Sequence, residues 1–204
     1  PIPAAVIVPE LLCQLRQQNP GLVTRVHLGN LPTLLAQLDA QQIDFCLGDP
    51  RLVPPQARYE RVPLGKQVAA LYARGDHPLA DAAQVDAVAM RRFGVATITI
   101  SPALLEGVAV LYGFENAADF PLAVECDDLG TLVHLATRTD VLALVPCAVG
   151  DAHPLALCRL LTVTTLAPVA DVHAIWLGGR TLSPSAQRAI DLAKRLGGEG
   201  GGSA

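Results

Sequence analysis

Residues 122–146 read LAVECDDLGTLVHLATRTDVLALVP, and this stretch decides the fold class. Leu122 to Cys126 has the extended pattern of a strand. Leu129, Leu132, Val133 and Ala136 then recur at helical spacing. Val141 to Val145 is an apolar run short enough to be a buried parallel strand, and Pro146 ends it. A strand, an amphipathic helix and a second strand in this order predict an α/β unit with helices on the faces of a parallel-type sheet.

The same alternation extends in both directions. Upstream, Phe93 to Ile98 reads as strand, and Leu104, Leu105, Val108 and Leu111 form a helical stripe. At the start of the chain, Ile7, Leu11 and Leu15, with Val8 and Leu12, predict a first helix in which Pro9 is tolerable only in the first turn or at a kink. Asn19-Pro20-Gly21 breaks that helix, and Leu22 to Leu28 alternates as a half-buried strand would. Asn30 is a good N-cap and Pro32 suits a first helical turn, with Leu31, Leu34, Leu35 and Leu38 facing inward. Ile43 to Leu47 predicts a short strand closed by Gly48-Asp49-Pro50. After the loop at Val53 to Pro55, an extended segment runs from Tyr59 to Tyr72 and stops at Arg74-Gly75-Asp76-His77-Pro78. Downstream, Leu160 to Thr165 and Val172 to Leu177 are extended. Ser183 caps a final helix from Pro184 to Leu196, and Gly197 is expected to stop it, with 197–204 disordered.

Composition narrows the function classes. The 204 residues are 51% hydrophobic and 17% charged, which specifies a folded chain with a large core rather than a disordered one. Aromatics are only 4%, so Ala, Leu and Val must build that core. A net charge of -4, with Lys and Arg scattered, offers no positive field for nucleic acid. No apolar run reaches bilayer length and no basic flank of a secretory signal opens the chain, so a cytoplasmic, membrane-free protein is expected. The five cysteines, Cys13, Cys46, Cys126, Cys147 and Cys158, include no CxxC pair and are expected to be buried reduced thiols.

GxSxG, HExxH, P-loop and GxGxxG signatures are all missing from the sequence. The five histidines, His27, His77, His134, His153 and His173, form no pattern of metal ligands or nucleophile partners, so each is read as a surface or core histidine. No enzyme, cofactor or metal is expected. In open α/β sheets, ligands bind beyond the carboxyl ends of strands, where helix N-termini direct N–H groups into the crevice. That rule selects Pro1 and Ile2 ahead of the first helix, Asn30 and Leu31, Gly48 and Asp49, the run Ile98, Thr99, Ile100 and Ser101, and finally Asp127 and Asp128. Asn30, Thr99 and Ser101 would supply directional hydrogen bonds, and Leu31, Ile98 and Ile100 an apolar wall. Each has a capping or packing role open beside the binding one. For Asp127 and Asp128 the cap is the simpler role; facing a ligand, they would disfavour a strongly anionic one.

Five segments together resemble one family. Residues Pro1 to Leu12 followed by Asn19-Pro20, then Ile43-Asp44-Phe45-Cys46-Leu47-Gly48, then Gly75-Asp76-His77-Pro78-Leu79-Ala80, are similar in order to the effector-binding domain of LysR-type transcription regulators. Val124 to Leu129 running on to Val141–Pro146, and Leu182-Ser183-Pro184-Ser185-Ala186 before the last helix, complete the match. Two departures stand out: Arg138-Thr139-Asp140 replaces the family's glycine-rich turn, and the segment after Thr97 lacks the usual Gly-Ser and Arg. The resemblance implies two Rossmann-like lobes joined by two crossover strands, as in type-two periplasmic binding proteins. Lobe I would be residues 1–72 with 172–196, and lobe II 73–171. It also implies a small-molecule effector in the interlobe cleft and a homodimer, tetrameric in the full-length parent, paired through helix one and a second-lobe helix such as Leu129 to Thr137. DNA would be reached only through an N-terminal winged helix-turn-helix. The family's strand before the position of Pro1 is not in this sequence, so a fragment is expected whose first sheet lacks that strand or takes it from elsewhere. Two alternatives share the architecture: a transporter's solute-binding protein, which would need a signal peptide or anchor, and an enzyme.

Overall fold

The computed structural model describes residues 2–55, 58–164 and 166–199. In chain order the elements are α1 (Ile2–Val6), α2 (Val8–Gln18), α3 (Leu31–Asp39), β1 (Cys46–Gly48), β2 (Tyr59–Arg74), α4 (Ala87–Phe93), β3 (Val95–Thr97) and α5 (Pro102–Leu111). They continue with β4 (Leu122–Glu125), α6 (Leu129–Arg138), β5 (Leu142–Pro146), α7 (Cys147–Gly150), β6 (Leu157–Arg159), β7 (Val169–Leu177) and α8 (Pro184–Glu199). The chain divides into two compact units: Pro1–Gln67 with Ala170–Ala204, and Val68–Val169. No helix among the described residues is long and apolar enough to cross a membrane.

In the second unit β3 lies between β4 and β5, parallel to both, and β5 and β6 pair antiparallel with β2. Side-chain alternation along the strands supplies two cores. Leu71, Ala73, Leu142 and Leu144 face one way, against Val85, Met90, Ala109 and Phe114. Tyr72, Ala143 and Val145 face the other, against Leu129, Leu132, Val133 and Ala136 of α6. Every residue of β5 is buried, as a strand covered on both faces must be. Each fully buried leucine of α6 contributes roughly 2 kcal/mol.

The first unit is built the same way around a smaller sheet in which β7 lies between β1 and β2. Leu11 and Leu15 of α2, with Ile7, pack on Leu64, Val172 and Ala174 and on Ala189, Ile190, Leu192 and Ala193 of α8. On the opposite face Leu31, Leu34, Leu35 and Leu38 of α3 cover Cys46 and Ile175. Here β1 pairs antiparallel with β7, so the parallel-type sheet expected for this half is not what forms.

Several sequence expectations are corrected. Residues 22–28 form no strand, and Val23, Val26 and Leu28 are exposed. Alternation becomes a strand only when a neighbour completes the ladder, and among the described residues β1 pairs with β7 alone. The first helix read from Ile7 to Leu15 forms as α2, with Pro9 in its first turn, and the short α1 ahead of it was not expected. Leu160 to Thr165 gives only the single bridge Val85 to Thr162, preceded by β6, and Thr165 lies outside the described residues. The unforeseen α4 is capped by Asp86, which accepts from Ala89 N at 2.8 Å, and ends at Gly94 with φ 75°. Cys13 is exposed rather than buried, since it projects from the opposite side of α2 to Leu11 and Leu15; Cys46 is buried, which pushes its thiol up to about 12.

Gly197 does not stop the last helix, which continues to Glu199. A Cβ on Gly197 would lie 2.2 Å from the Leu64 carbonyl oxygen, and one on Gly65 would lie 2.3 Å from the Gly197 carbonyl oxygen. The glycines therefore let α8 approach the backbone of β2. Of the tail expected to be disordered, 200–204 lie outside the described residues.

The His77 turn is locked from several sides. Leu79 N donates to Nδ1 at 3.0 Å, so the proton is on Nε2, which donates to the Asp140 carbonyl at 3.0 Å. The ring stands edge-on to Phe93, centroids 4.6 Å apart. Asp140 also accepts from Arg74, Nη2 to Oδ1 at 2.7 Å, and Arg74 pairs with Asp76 as well. Asp140 thus anchors this turn through both its backbone carbonyl and its carboxylate.

Two stability predictions follow from this packing. A Cβ at Gly150 would lie 2.2 Å from the ring of buried Tyr72, so Gly150→Ala is expected to cost about 3 kcal/mol in urea unfolding. His77→Ala strands a carbonyl and an N–H and is expected to cost about 2 kcal/mol; Arg74→Gln, which removes ion pairs with the solvent-exposed Asp140 and Asp76, should lower the midpoint less.

Candidate functional site

The parallel strands β3 and β4 end at the same edge of their sheet. Two loops leave there: 98–101 towards α5 and 126–128 towards α6. They are stitched together, since Cys126 N donates to the Thr97 carbonyl at 3.0 Å and Thr99 N donates to Asp127 Oδ1 at 3.1 Å. The second unit thus brings Ile98, Thr99, Ile100, Ser101, Asp127 and Asp128 to one edge.

Their polar groups differ in what they have left to offer. Asp128 caps α6: Oδ2 accepts from Thr131 N at 2.9 Å and from Thr131 Oγ1 at 2.5 Å. Those bonds from Thr131 hold its carboxyl below the usual range. Asp127 is engaged by the Thr99 amide, so both aspartates serve the loops that carry them. Ser101 is the N-cap residue of α5, yet its hydroxyl makes no bond to that helix. Ile98 and Ile100 are half-buried and Thr99 is exposed. The edge therefore presents an unspent hydroxyl and two partly covered aliphatic side chains at a helix start.

In the first unit most selected residues are already occupied. Asn30 caps α3, with Oδ1 accepting from Thr33 N at 3.0 Å and Thr33 Oγ1 at 2.7 Å. Leu31 is core, and a Cβ on Gly48 would lie 2.9 Å from its Cδ1. Asp49 caps the short helical turn Pro50–Leu52 and accepts from Arg51 N and Nε, both at 2.9 Å. Ile2 sits half-buried in α1. Pro1 lies outside the described residues.

One residue here was passed over in the sequence. His173 of β7 pairs in register with Gly48. Its Nδ1 is buried without a hydrogen-bond partner, the one such side-chain atom among the described residues. Burial and the Arg61 guanidinium lower its pKa below the ordinary histidine value, opposed by Asp171 and Asp49. The only sequence signal is its register: it lies five residues after Pro168, within a predicted strand. Among the described residues no group of three or more His, Cys, Asp or Glu side chains is placed to hold a metal ion.

Comparisons with known proteins agree on one family. Residues 1–197 match the family described as LysR substrate binding domain. The chain is 26% identical over 197 residues to the SDS degradation transcriptional activation protein of Pseudomonas sp. (strain ATCC 19151), covering 92% of this chain and 61% of that protein. It therefore spans about three fifths of the length of this curated relative. Among solved structures, HinK, a LysR family transcriptional regulator from Pseudomonas aeruginosa, superposes with a TM-score of 0.75 at 16% identity, covering 97% of this chain and 67% of that one. The effector binding domain of QuiR in complex with shikimate gives 0.72 at 17% identity, covering 97% and 93%. The Corynebacterium glutamicum OxyR C206 mutant gives 0.72 at 18%, covering 98% and 63%. The shared fold is α/β of the type-two periplasmic-binding-protein kind, and the chain belongs to the LysR substrate binding domain family.

Proposed function

We propose that this chain is the sensing part of a LysR-type transcription regulator, binding a small-molecule effector without transforming it. The observation that carries the proposal is the family match over residues 1–197. The curated relative's name is that of a transcriptional activator, which favours a regulator over a transporter's binding protein. The QuiR domain bound to shikimate supports a small organic effector.

In this proposal the two lobes, about 1–72 with 172–196 and 73–171, take the effector into the cleft between them. Ser101 and Thr99 supply hydrogen bonds and Ile98 and Ile100 the apolar contact, while Asp127 and Asp128 hold the loops in place. The effector can shift the regulator only by the difference in its affinity for two arrangements. That difference would reach DNA through a homodimer, tetrameric in the full-length protein, whose contacts involve α2 and α6 and whose winged helix-turn-helix lies outside these residues. Full-length CbnR, whose structure is a complex with its target DNA, supports DNA as the partner of the full-length protein. A protein acting on DNA in a bacterium works in the cytoplasm.

Thermal-shift screening against small carboxylates, amino acids and aromatic acids tests the reading. A binder at a hundred times its Kd is expected to stabilise the native chain by about 2.7 kcal/mol and to be recovered unchanged by NMR. Ser101→Ala should weaken that binder by about tenfold while leaving the unliganded melting temperature alone, since the hydroxyl caps nothing. Turnover of the binder, or no stabilisation by any compound, would sink the proposal.

A further inference from the structure

Gly48 and His173 are cross-strand partners, so their side-chain positions share one face of the sheet. That face is the one covered by α3, because the Cβ direction of Gly48 points at Leu31. His173 therefore stands beside the first turn of α3 and the carboxyl end of β1.

The polar groups around it are committed elsewhere. The Asp49 carboxylate is held by Arg51, and Arg61 donates through NH1 to the Pro50 carbonyl at 3.2 Å. Neither is bonded to the imidazole, whose Nδ1 is left buried and unpaired. The contrast with His77 is direct, for there both ring nitrogens are satisfied. An orphaned buried polar atom costs about 1–3 kcal/mol and calls for a reason other than packing. With no acceptor for a proton on Nδ1, the less costly tautomer carries it on Nε2. That nitrogen is not among the walled-off atoms, so the ring can present an N–H donor.

Resting on the sensor reading above, we infer that His173 contacts the effector, donating from Nε2 to an oxygen acceptor of a small organic molecule. That acceptor is a carboxylate or a hydroxyl oxygen, and the choice of probes separates the two.

The test uses the 204-residue chain with shikimate, benzoate and benzyl alcohol, followed by thermal shift and calorimetry on wild type, His173→Phe and His173→Gln. Unliganded His173→Phe is expected to melt no lower than wild type, because an unpaired polar ring is replaced by an apolar one. Binding of the responding probe should fall at least about tenfold in His173→Phe and less in His173→Gln, which restores a donor. Benzoate responding without benzyl alcohol assigns a carboxylate; the reverse assigns a hydroxyl. A clear drop in melting temperature for unliganded His173→Phe would make the histidine structural and overturn the inference. Equal probe binding by wild type and His173→Phe would also overturn it and leave the sensor reading intact. A wild type indifferent to all three probes has no such oxygen site, which removes the inference but not the family assignment.

Discussion

Close backbone approach to β2 is the constraint on which both units depend. In the first unit α8 comes so near that Gly65 and Gly197 each occupy space a Cβ would need. In the second, the ring of Tyr72 lies against the backbone of Gly150 just after β5, and its hydroxyl donates to Asp151 Oδ1 at 2.6 Å. One strand is thus gripped in two places by contacts that tolerate no added atom, and its residues reach both cores, Leu64 in one unit and Leu71 in the other. Interiors packed to crystal density transmit rather than absorb such errors, so Gly65 on the strand, and Gly150 and Gly197 against it, have less room for a substitution than its leucines.

That rigidity explains why the strand ends sort into spent and unspent groups. A sensor of the kind proposed must hold its loops still before it can read a ligand, and here three carboxylates and one carboxamide do the holding. Asp127 ties the loop after β3 to the loop after β4, Asp128 caps α6, Asn30 caps α3 and Asp49 clasps Arg51. Each removes an N–H that would otherwise be orphaned at a helix or turn start. What remains for the proposed recognition is small, a serine hydroxyl at the start of α5 and the edges of Ile98 and Ile100, on loops that the bonds to Asp127 and Asp128 hold.

Much of the fold was legible because most elements carry their own period. The stretch from Leu122 to Pro146 resolves into β4, α6 and β5 nearly as written, since its apolar spacing changes from two to helical and back. Elements whose existence depends on a distant partner were not. The alternation at 22–28 is real, yet it remains exposed because a strand's ladder is supplied by another segment. Gly197 carries the usual stop signal of a helix but is used for docking, a role set by Leu64 more than a hundred residues away in the sequence. α4 was missed although Asp86 and Gly94 bracket it, because its seven residues give too short a stripe. The candidate site follows the same division. Capping residues announce themselves by type and position before a helix, and the inward stripe already gives Leu31 to the core, whereas its close contact with Gly48 on a separate strand shows in neither segment alone.

The two inward histidines show how far composition can go. His77 sits in the turn after β2 and His173 within β7, and the residue type alone does not tell their roles apart. The fold surrounds the first with a carbonyl, an amide and a phenyl ring, so its polarity is absorbed into a turn. It leaves the second beside committed charges with an unpaired nitrogen. Since folding penalises an unpaired buried nitrogen and an apolar residue would avoid that cost, stability alone gives no reason to keep a histidine at 173. A polar group that packing does not need is therefore better explained by something the chain binds than by the chain itself.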